Sequence, residues 1–276
     1  MKRTKEQVEI IYQEYLKGIQ QKVLDKKYNT DTNYLFKKHN LKCRTISESI
    51  IKFRNSCIKL NYDFKNINNE YEAYIVGLFL ADGHVGNGQL GLFLKKSDVE
   101  LIQQIKDYFS KNIKLQITKT TAGFVVSSKQ VCENAIKLGI LQKKTNKSFT
   151  IPEINDNLIK HLIRGYFDGD GSIFKCNNKY LKSNICSPTI DILENFQQIL
   201  KNNNIESTIN KENRIGKPQI ILGRTYLATM DMYRLYIRKK DELKKLYYFL
   251  YKDCNICLER KKKVFEDNFY MLTKLK

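Results

Sequence analysis

Tryptophan is absent from the 276-residue chain, and there are only three prolines. Together with heavy use of Lys, Asn, Ile and Tyr, this reads as coding bias in an A/T-rich genome and assigns no function. No apolar run reaches the roughly 20 residues that a membrane span needs. The longest, Tyr74 to Ala81, stops at Asp82. The amino terminus lacks the apolar segment of a secretory signal, because Lys2, Arg3, Lys5 and Glu6 lead into an amphipathic stretch. A soluble intracellular protein with no membrane partner is therefore expected, an organelle matrix such as the mitochondrion or a viral host compartment being compatible settings. The seven cysteines are odd in number and have no framework spacing, which points to reduced thiols. Cys254 and Cys257 form a C-x-x-C, and Cys176 with Cys186 could supply a second zinc pair. Irregular spacing and apolar surroundings favour packing instead. Acidic residues are scarce as well: 29 against 49 basic ones leave a formal charge of +20. That balance calls for a polyanionic partner, nucleic acid ahead of an anionic membrane surface.

What is present is a pair of near copies. I-V-G-L-F-L-A-D-G-H runs from Ile75 to His84, and I-R-G-Y-F-D-G-D-G-S from Ile163 to Ser172. Each is an apolar helical run stopped by Asp-Gly, so Asp82 and Asp170 are expected at the carboxyl ends of two helices. Gly83 and Gly171 are expected in the left-handed position that follows a last turn. A carboxylate there faces the negative pole of its helix, so a cation is expected nearby. Gly77/Ala81 and Gly165/Gly169 are spaced i, i+4, which strips one face of each helix and allows close backbone approach. Packing those faces together brings Asp82 and Asp170 to one end, where two carboxylates are most simply reconciled by a hard divalent cation. D-G-D-G-S also resembles the start of a calcium loop, but Ile173 and Lys179 fall where that loop needs glycine and glutamate.

Both stretches resemble the signature helix of the LAGLIDADG homing endonucleases. Ile75 to Gly83 and Ile163 to Gly171 match the nine-letter motif, and the 88 residues between Asp82 and Asp170 match its two-motif, single-chain branch. The first copy departs from the motif by carrying Leu80 where the motif has its first aspartate, a position that is not the family's metal ligand. The resemblance covers residues 71 to 276. It implies a metal-dependent site-specific double-stranded DNA endonuclease using Mg²⁺ or Mn²⁺. Asp82 and Asp170 would be the metal ligands and catalytic acids, with the carbonyls of Ala81 and Gly169 completing the coordination. It further implies a lysine from each half near the metal site, Lys144 and Lys261 being the carry-overs from K-K-T-N-K and L-E-R-K-K-K.

Along the chain, residues 1–60 read as three short helices, within 4–16, 20–28 and 32–39, with 14 basic against 6 acidic side chains. Val8, Ile10, Ile11, Tyr15 and Leu16 form the stripe of the first. Helix, short turn, helix resembles a helix-turn-helix module in which Lys37 and Lys38 sit on the reading helix; a plain three-helix bundle is the competing reading. Residues 61–70 are polar and asparagine-rich, as in a linker. Residues 71–155 and 156–276 then repeat one order of elements, α-β-β-α-β-β-α, and predict an α+β fold of duplicated units preceded by a small all-α module. In the resembling family such units form a pseudo-two-fold saddle over the major groove. Strand faces supply the candidate DNA contacts: Lys114, Gln116 and Thr118 alternating with Leu115 and Ile117, and Arg234 and Arg238 alternating with Leu235 and Ile237.

Both motif helices in one chain imply a monomeric pseudo-dimer. An intron RNA maturase on the same scaffold, bound to its intron RNA, and a catalytically silent DNA-binding regulator are the alternatives. Retention of both aspartates argues against the second. An intein is disfavoured, since the chain opens on Met1 and ends Thr273-Lys274-Leu275-Lys276.

Overall fold

The computed structural model describes residues 3–45, 48, 59–141, 149–176, 180–221 and 224–273. They fall into two compact units, one formed by 1–61 with 110–113 and the other by 62–109 with 114–276.

In the first unit α1 (Lys5–Leu16) starts at Thr4, whose hydroxyl accepts from the Gln7 amide while the Gln7 side chain returns the bond to the Thr4 amide. Helix α2 (Gln21–Tyr28) ends on Asn29 in the left-handed region, and α3 (Thr32–Lys38) starts at Asp31. The Asp25 carboxylate accepts from both the amide and the hydroxyl of Thr32, at 2.8 and 2.6 Å, and so fixes the α2–α3 turn. Val8, Ile11, Tyr15, Leu24, Leu35 and Phe36 make the core. Ile10 and Leu16, expected in that stripe, face solvent.

The second unit contains the repeat. Its first half runs α4 (Glu70–Asp82), β1 (His84–Gly86), β2 (Gln89–Lys95), α5 (Val99–Phe109), β3 (Gln116–Ile117), β4 (Thr121–Ser127) and α6 (Lys129–Lys137). Its second half runs α7 (Asp156–Asp170), β5 (Gly171–Cys176), β6 (Tyr180–Ser187), α8 (Asp191–Asn202) and β7 (Thr208–Glu212). A hairpin of β8 (Pro218–Ile221) and β9 (Arg224–Leu227) follows, then β10 (Met232–Ile237), α9 (Lys240–Tyr251) and α10 (Glu259–Thr273). The two four-stranded antiparallel sheets share one topology, β1-β2-β4-β3 and β5-β6-β10-β7. The β8–β9 hairpin is an insertion in the second half.

Alternation explains which sheet face is covered. Leu90, Leu92 and Leu94 of β2 pair with Val126, Phe124 and Ala122 of β4, and all six are buried. In the second half Ile185 pairs with Leu235 and Ser183 with Ile237. Asn87 and Gly88, both at positive φ, turn the β1–β2 hairpin as Asn-Gly commonly does.

Three expectations need correction. The strand expected over 113–120 is only two paired residues, Gln116 and Ile117, and Ile117 is 54% exposed. The Thr118 hydroxyl accepts from the amides of Thr120 and Thr121 and closes a local turn in place of further pairing. The stretch 61–70, expected to be a linker, carries two anchors: Tyr62 and Phe64 are buried among Phe79 and Phe109. Helix α10 has no counterpart among the described residues of the first half; its Leu-Glu-Arg-Lys start reads locally as a charge run.

Candidate active site

Helices α4 and α7 lie parallel and touch backbone to backbone. A Cβ added to Gly77 would stand 1.9 Å from the Leu162 carbonyl oxygen, and one added to Gly165 would stand 2.0 Å from that of Tyr74. One turn further on, a Cβ on Gly169 would meet the Ala81 Cβ at 2.4 Å and Asp82 Oδ2 at 2.8 Å. The Asp82 carboxylate is therefore laid over the residue that precedes Asp170. Asp82 is exposed and Asp170 half-buried, so this end of the helix pair opens to solvent. The Tyr166 hydroxyl donates to the Cys186 carbonyl at 3.4 Å; burial first, then the nearby Asp170 charge, holds that phenol well above its usual range.

Gly83 and Gly171 are not left-handed. Their φ values are −70° and −81°, extended backbone leading straight into β1 and β5. Glycine is required there for space, since a Cβ would stand 2.6 Å from the Phe79 carbonyl oxygen and 2.4 Å from that of Phe167.

The cation expected at this helix end is Lys261, from the first turn of α10. Its ammonium, 6% exposed, lies 2.7 Å from the carbonyls of Phe167 and Asp168, 3.2 Å from Gly169 and 2.5 Å from Gly171. It thus caps the negative pole of α7. Burial lowers its pKa to about 8 against the opposing pull of Asp168, Asp82 and Asp170, so one ammonium lies within electrostatic reach of both motif acids. The resemblance implies a lysine near the metal site, and the structure shows what this ammonium touches. Lys261 is turned into the backbone and positions the helix end, and the Gly169 carbonyl that was to bind metal already faces an ammonium. Lys144 lies outside the described residues.

Asp168, the first acid of the second motif, is a hub that the sequence did not disclose. Fully buried, it accepts from Tyr74 at 2.8 Å, Tyr251 at 2.6 Å and the Leu258 amide at 2.7 Å, tying α4, α9 and the connection that leads into α10 to α7. Desolvation raises its pKa, opposed by these donors and by Lys261. Leu80 takes the corresponding place in the first copy and is buried.

A second polar lock joins the same helices nearer their amino ends. Arg164, 1% exposed, donates to Glu70 at 2.6 Å, to the carbonyls of Leu250 and Ile256, and to His161 Nδ1 at 2.9 Å. Burial and the Arg164 charge lower the His161 pKa to about 4, so the His161–Glu70 approach of 3.5 Å is no ion pair at neutral pH and the ring accepts from Arg164. Between pH 6.5, the ordinary value, and 4 the unfolded chain binds a proton that the folded one refuses. This contribution is therefore full above about 6.5 and lost as pH falls towards 4. Thermal unfolding across that range is expected to show a smaller acid loss in His161→Gln than in the wild type; equal slopes would contradict the assignment.

Lys114, Gln116 and Thr118 are exposed, as are Lys37, Lys38 and Tyr34 on α3. Arg234 is engaged by Glu212 at 2.7 Å and by Asn184 at 3.1 Å, while Arg238 bonds Thr208 and lies 4.2 Å over the Tyr236 ring. Among the described residues no three His, Cys, Asp or Glu form a metal cluster. The hard-oxygen donors here are thus the two acids. That fits Mg²⁺, which commonly takes one or two carboxylates and completes its shell with water and substrate phosphate.

Residues 157–248 match the family model of the LAGLIDADG-like domain. Over that span the chain is similar to this domain. Its fold is that of the meganuclease I-SmaMI, solved bound to uncleavable DNA: 13% identity, TM-score 0.52, covering 76% of this chain and 92% of that one. A point mutant of I-SmaMI gives 14% identity and a TM-score of 0.50 over 76% and 93% of the two chains. I-DmoI in complex with DNA and Ca shows a weaker likeness, 16% identity and TM-score 0.46, over 75% of this chain and all of that one. The uncharacterised protein MJ0398 of Methanocaldococcus jannaschii is 22% identical over 176 residues, 62% of this chain. The chain spans 63% of that relative's length. The LAGLIDADG-like match includes α7 and Asp170, and α4 repeats its motif outside the matched span. No helix among the described residues is long and apolar enough to cross a membrane.

Proposed function

We propose that this protein is a site-specific double-stranded DNA endonuclease dependent on Mg²⁺ or Mn²⁺. The observation that carries the reading is the placing of Asp82 against Gly169, which brings both motif acids to the solvent-facing end of one glycine-packed helix pair. Asp82 and Asp170 would hold the metal, which when bound supplies charge stabilisation and an activated water for phosphodiester hydrolysis. The chain's own residues do the positioning. Gly77 and Gly165 set the separation of the helices, Lys261 neutralises the end of α7, and Asp168 and Arg164 keep both helices from rotating. DNA is preferred over intron RNA because I-SmaMI, whose fold this chain shares, is bound to DNA. One chain already contains both motif helices, so the active species is a monomer. Incubating the purified protein with Mg²⁺ and a randomised duplex library, then sequencing the ends, tests the reading. Recurrent double-strand ends at one sequence are expected, and none above a metal-free control would sink it.

The first unit contributes affinity and site selection. Exposed Tyr34, Lys37 and Lys38 on α3, and the basic excess of residues 1–60, support contact with DNA. Because Tyr62 and Phe64 anchor the second unit, the test truncation keeps residues 60–276. Each phosphate that is no longer neutralised flattens the slope of log affinity against log salt by about 0.9. The truncated protein is expected to bind more weakly, with a shallower slope, yet to cut at the same bonds. Unchanged affinity and slope would make the first unit a bundle that does not touch DNA.

A further inference from the structure

The connection between α9 and α10, residues 252–258, holds the helix pair from both sides. The Asn255 amide and side chain donate to Glu70 at 2.9 and 2.7 Å, Ile256 accepts from Arg164 at 2.9 Å, and the Leu258 amide donates to Asp168 at 2.7 Å. Cys254 and Cys257 interleave with these anchors. The two thiols are close enough that each shifts the other's pKa, and Cys257 Sγ lies 3.3 Å from Glu259 Oε1. Cys254 is half-buried and Cys257 is 8% exposed, so one sulfur can be reached from solvent while its partner is sheltered.

We propose that Cys254 and Cys257 are a redox-active dithiol whose oxidation uncouples the α9–α10 connection from the motif helices. The asymmetry sets the order of events. Cys254, the sulfur that solvent reaches and whose pKa the neighbouring Cys257 thiol lowers to about 7, with Arg164 and Lys262 adding to it, is the attacking one. Cys257, sheltered at 8% exposure and raised by Cys254, by burial and by Glu259, is the resolving one. With glutathione disulfide as oxidant, the Cys254 thiolate attacks one of its sulfurs and releases a glutathione thiolate, leaving a mixed disulfide. Cys257 then loses its proton to solvent, attacks the Cys254 sulfur and expels the second glutathione thiolate. Two thiols are oxidised, and one glutathione disulfide is reduced to two glutathione molecules. Bringing the two sulfurs to a covalent length of about 2.05 Å draws the two residues together. The amides of Asn255 and Leu258, which lie on either side of Cys257, move with them.

The test does not depend on whether the protein cuts DNA. The full chain is equilibrated in glutathione buffers of graded redox potential, acid-quenched, alkylated and mapped by peptide mass. Loss of two alkylatable thiols in the peptide that spans Cys254 and Cys257 is expected, in one two-electron step. Cys257→Ser is expected to trap glutathione on Cys254, and Cys254→Ser to take up none at Cys257. Full alkylation of both thiols in the most oxidising buffer, or oxidation of Cys176 or Cys186 ahead of them, overturns the dithiol. Amide exchange provides the second readout. Asn255 and Leu258 are expected to exchange faster in the oxidised wild type and unchanged in the Cys254→Ser/Cys257→Ser double variant. Protection equal in both redox states overturns the uncoupling.

Discussion

Asp82→Asn and Asp170→Asn are each expected to lower the cleavage rate by about a thousandfold or more, which is about 4 kcal/mol of barrier. Asparagine keeps the shape and one oxygen of the side chain but removes the charge that holds a divalent cation. Because Asp82 is exposed and Asp170 half-buried at the end of a capped helix, neither change opens the core. Binding to DNA in Ca²⁺ is expected to persist or strengthen, since a negative charge facing phosphates is removed. Single-turnover cleavage in Mg²⁺ and binding at the same salt separate the two effects. Wild-type rates in either variant would remove the acids from the chemistry.

The second large effect is on folding. Gly77→Val or Gly165→Val places a branched side chain where even a Cβ would stand 1.9 or 2.0 Å from an opposing carbonyl oxygen. Backbone cannot swing aside as a side-chain tip can, so α4 and α7 must separate. That also stretches the buried Tyr74–Asp168 bond and the part-buried Arg164–Glu70 bond. A cost above about 4 kcal/mol is expected, against about 0.5 for Ile117→Ala on the exposed edge strand. With total stability of about 5–15 kcal/mol, the glycine variants approach unfolding. Denaturant titration checks this, and midpoints equal to that of Ile117→Ala would mean that the crossing is not close-packed.

How much of this is legible in the sequence depends on how local the signal is. The helix endings, the glycine pairs and the repeated αββαββα order can be read because each rests on spacings of a few residues. The β8–β9 insertion and the brevity of β3 are missed because exposed polar strands carry weak alternation and threonine turns compete with them. Long-range partners are missed for a different reason. Nothing near Lys261 says that it caps carbonyls about 90 residues away, although the need for a cation at a helix end bearing Asp170 is readable. Asp168 gives no warning of burial, since an acid beside glycines reads as a helix end. Arg164 sits where Val76 stands in the first copy, and that substitution is the available signal of a buried partner, found in Glu70. Tyr62 and Phe64 are hidden in the sequence by the asparagines around them.

The central claim is that both motif acids share one metal site. An anomalous difference map from crystals of the protein–DNA complex grown with Mn²⁺ tests it most directly. The account predicts manganese density bound by the Asp82 and Asp170 carboxylates at the end of the α4–α7 pair. Manganese bound elsewhere, with both carboxylates unliganded, would contradict it.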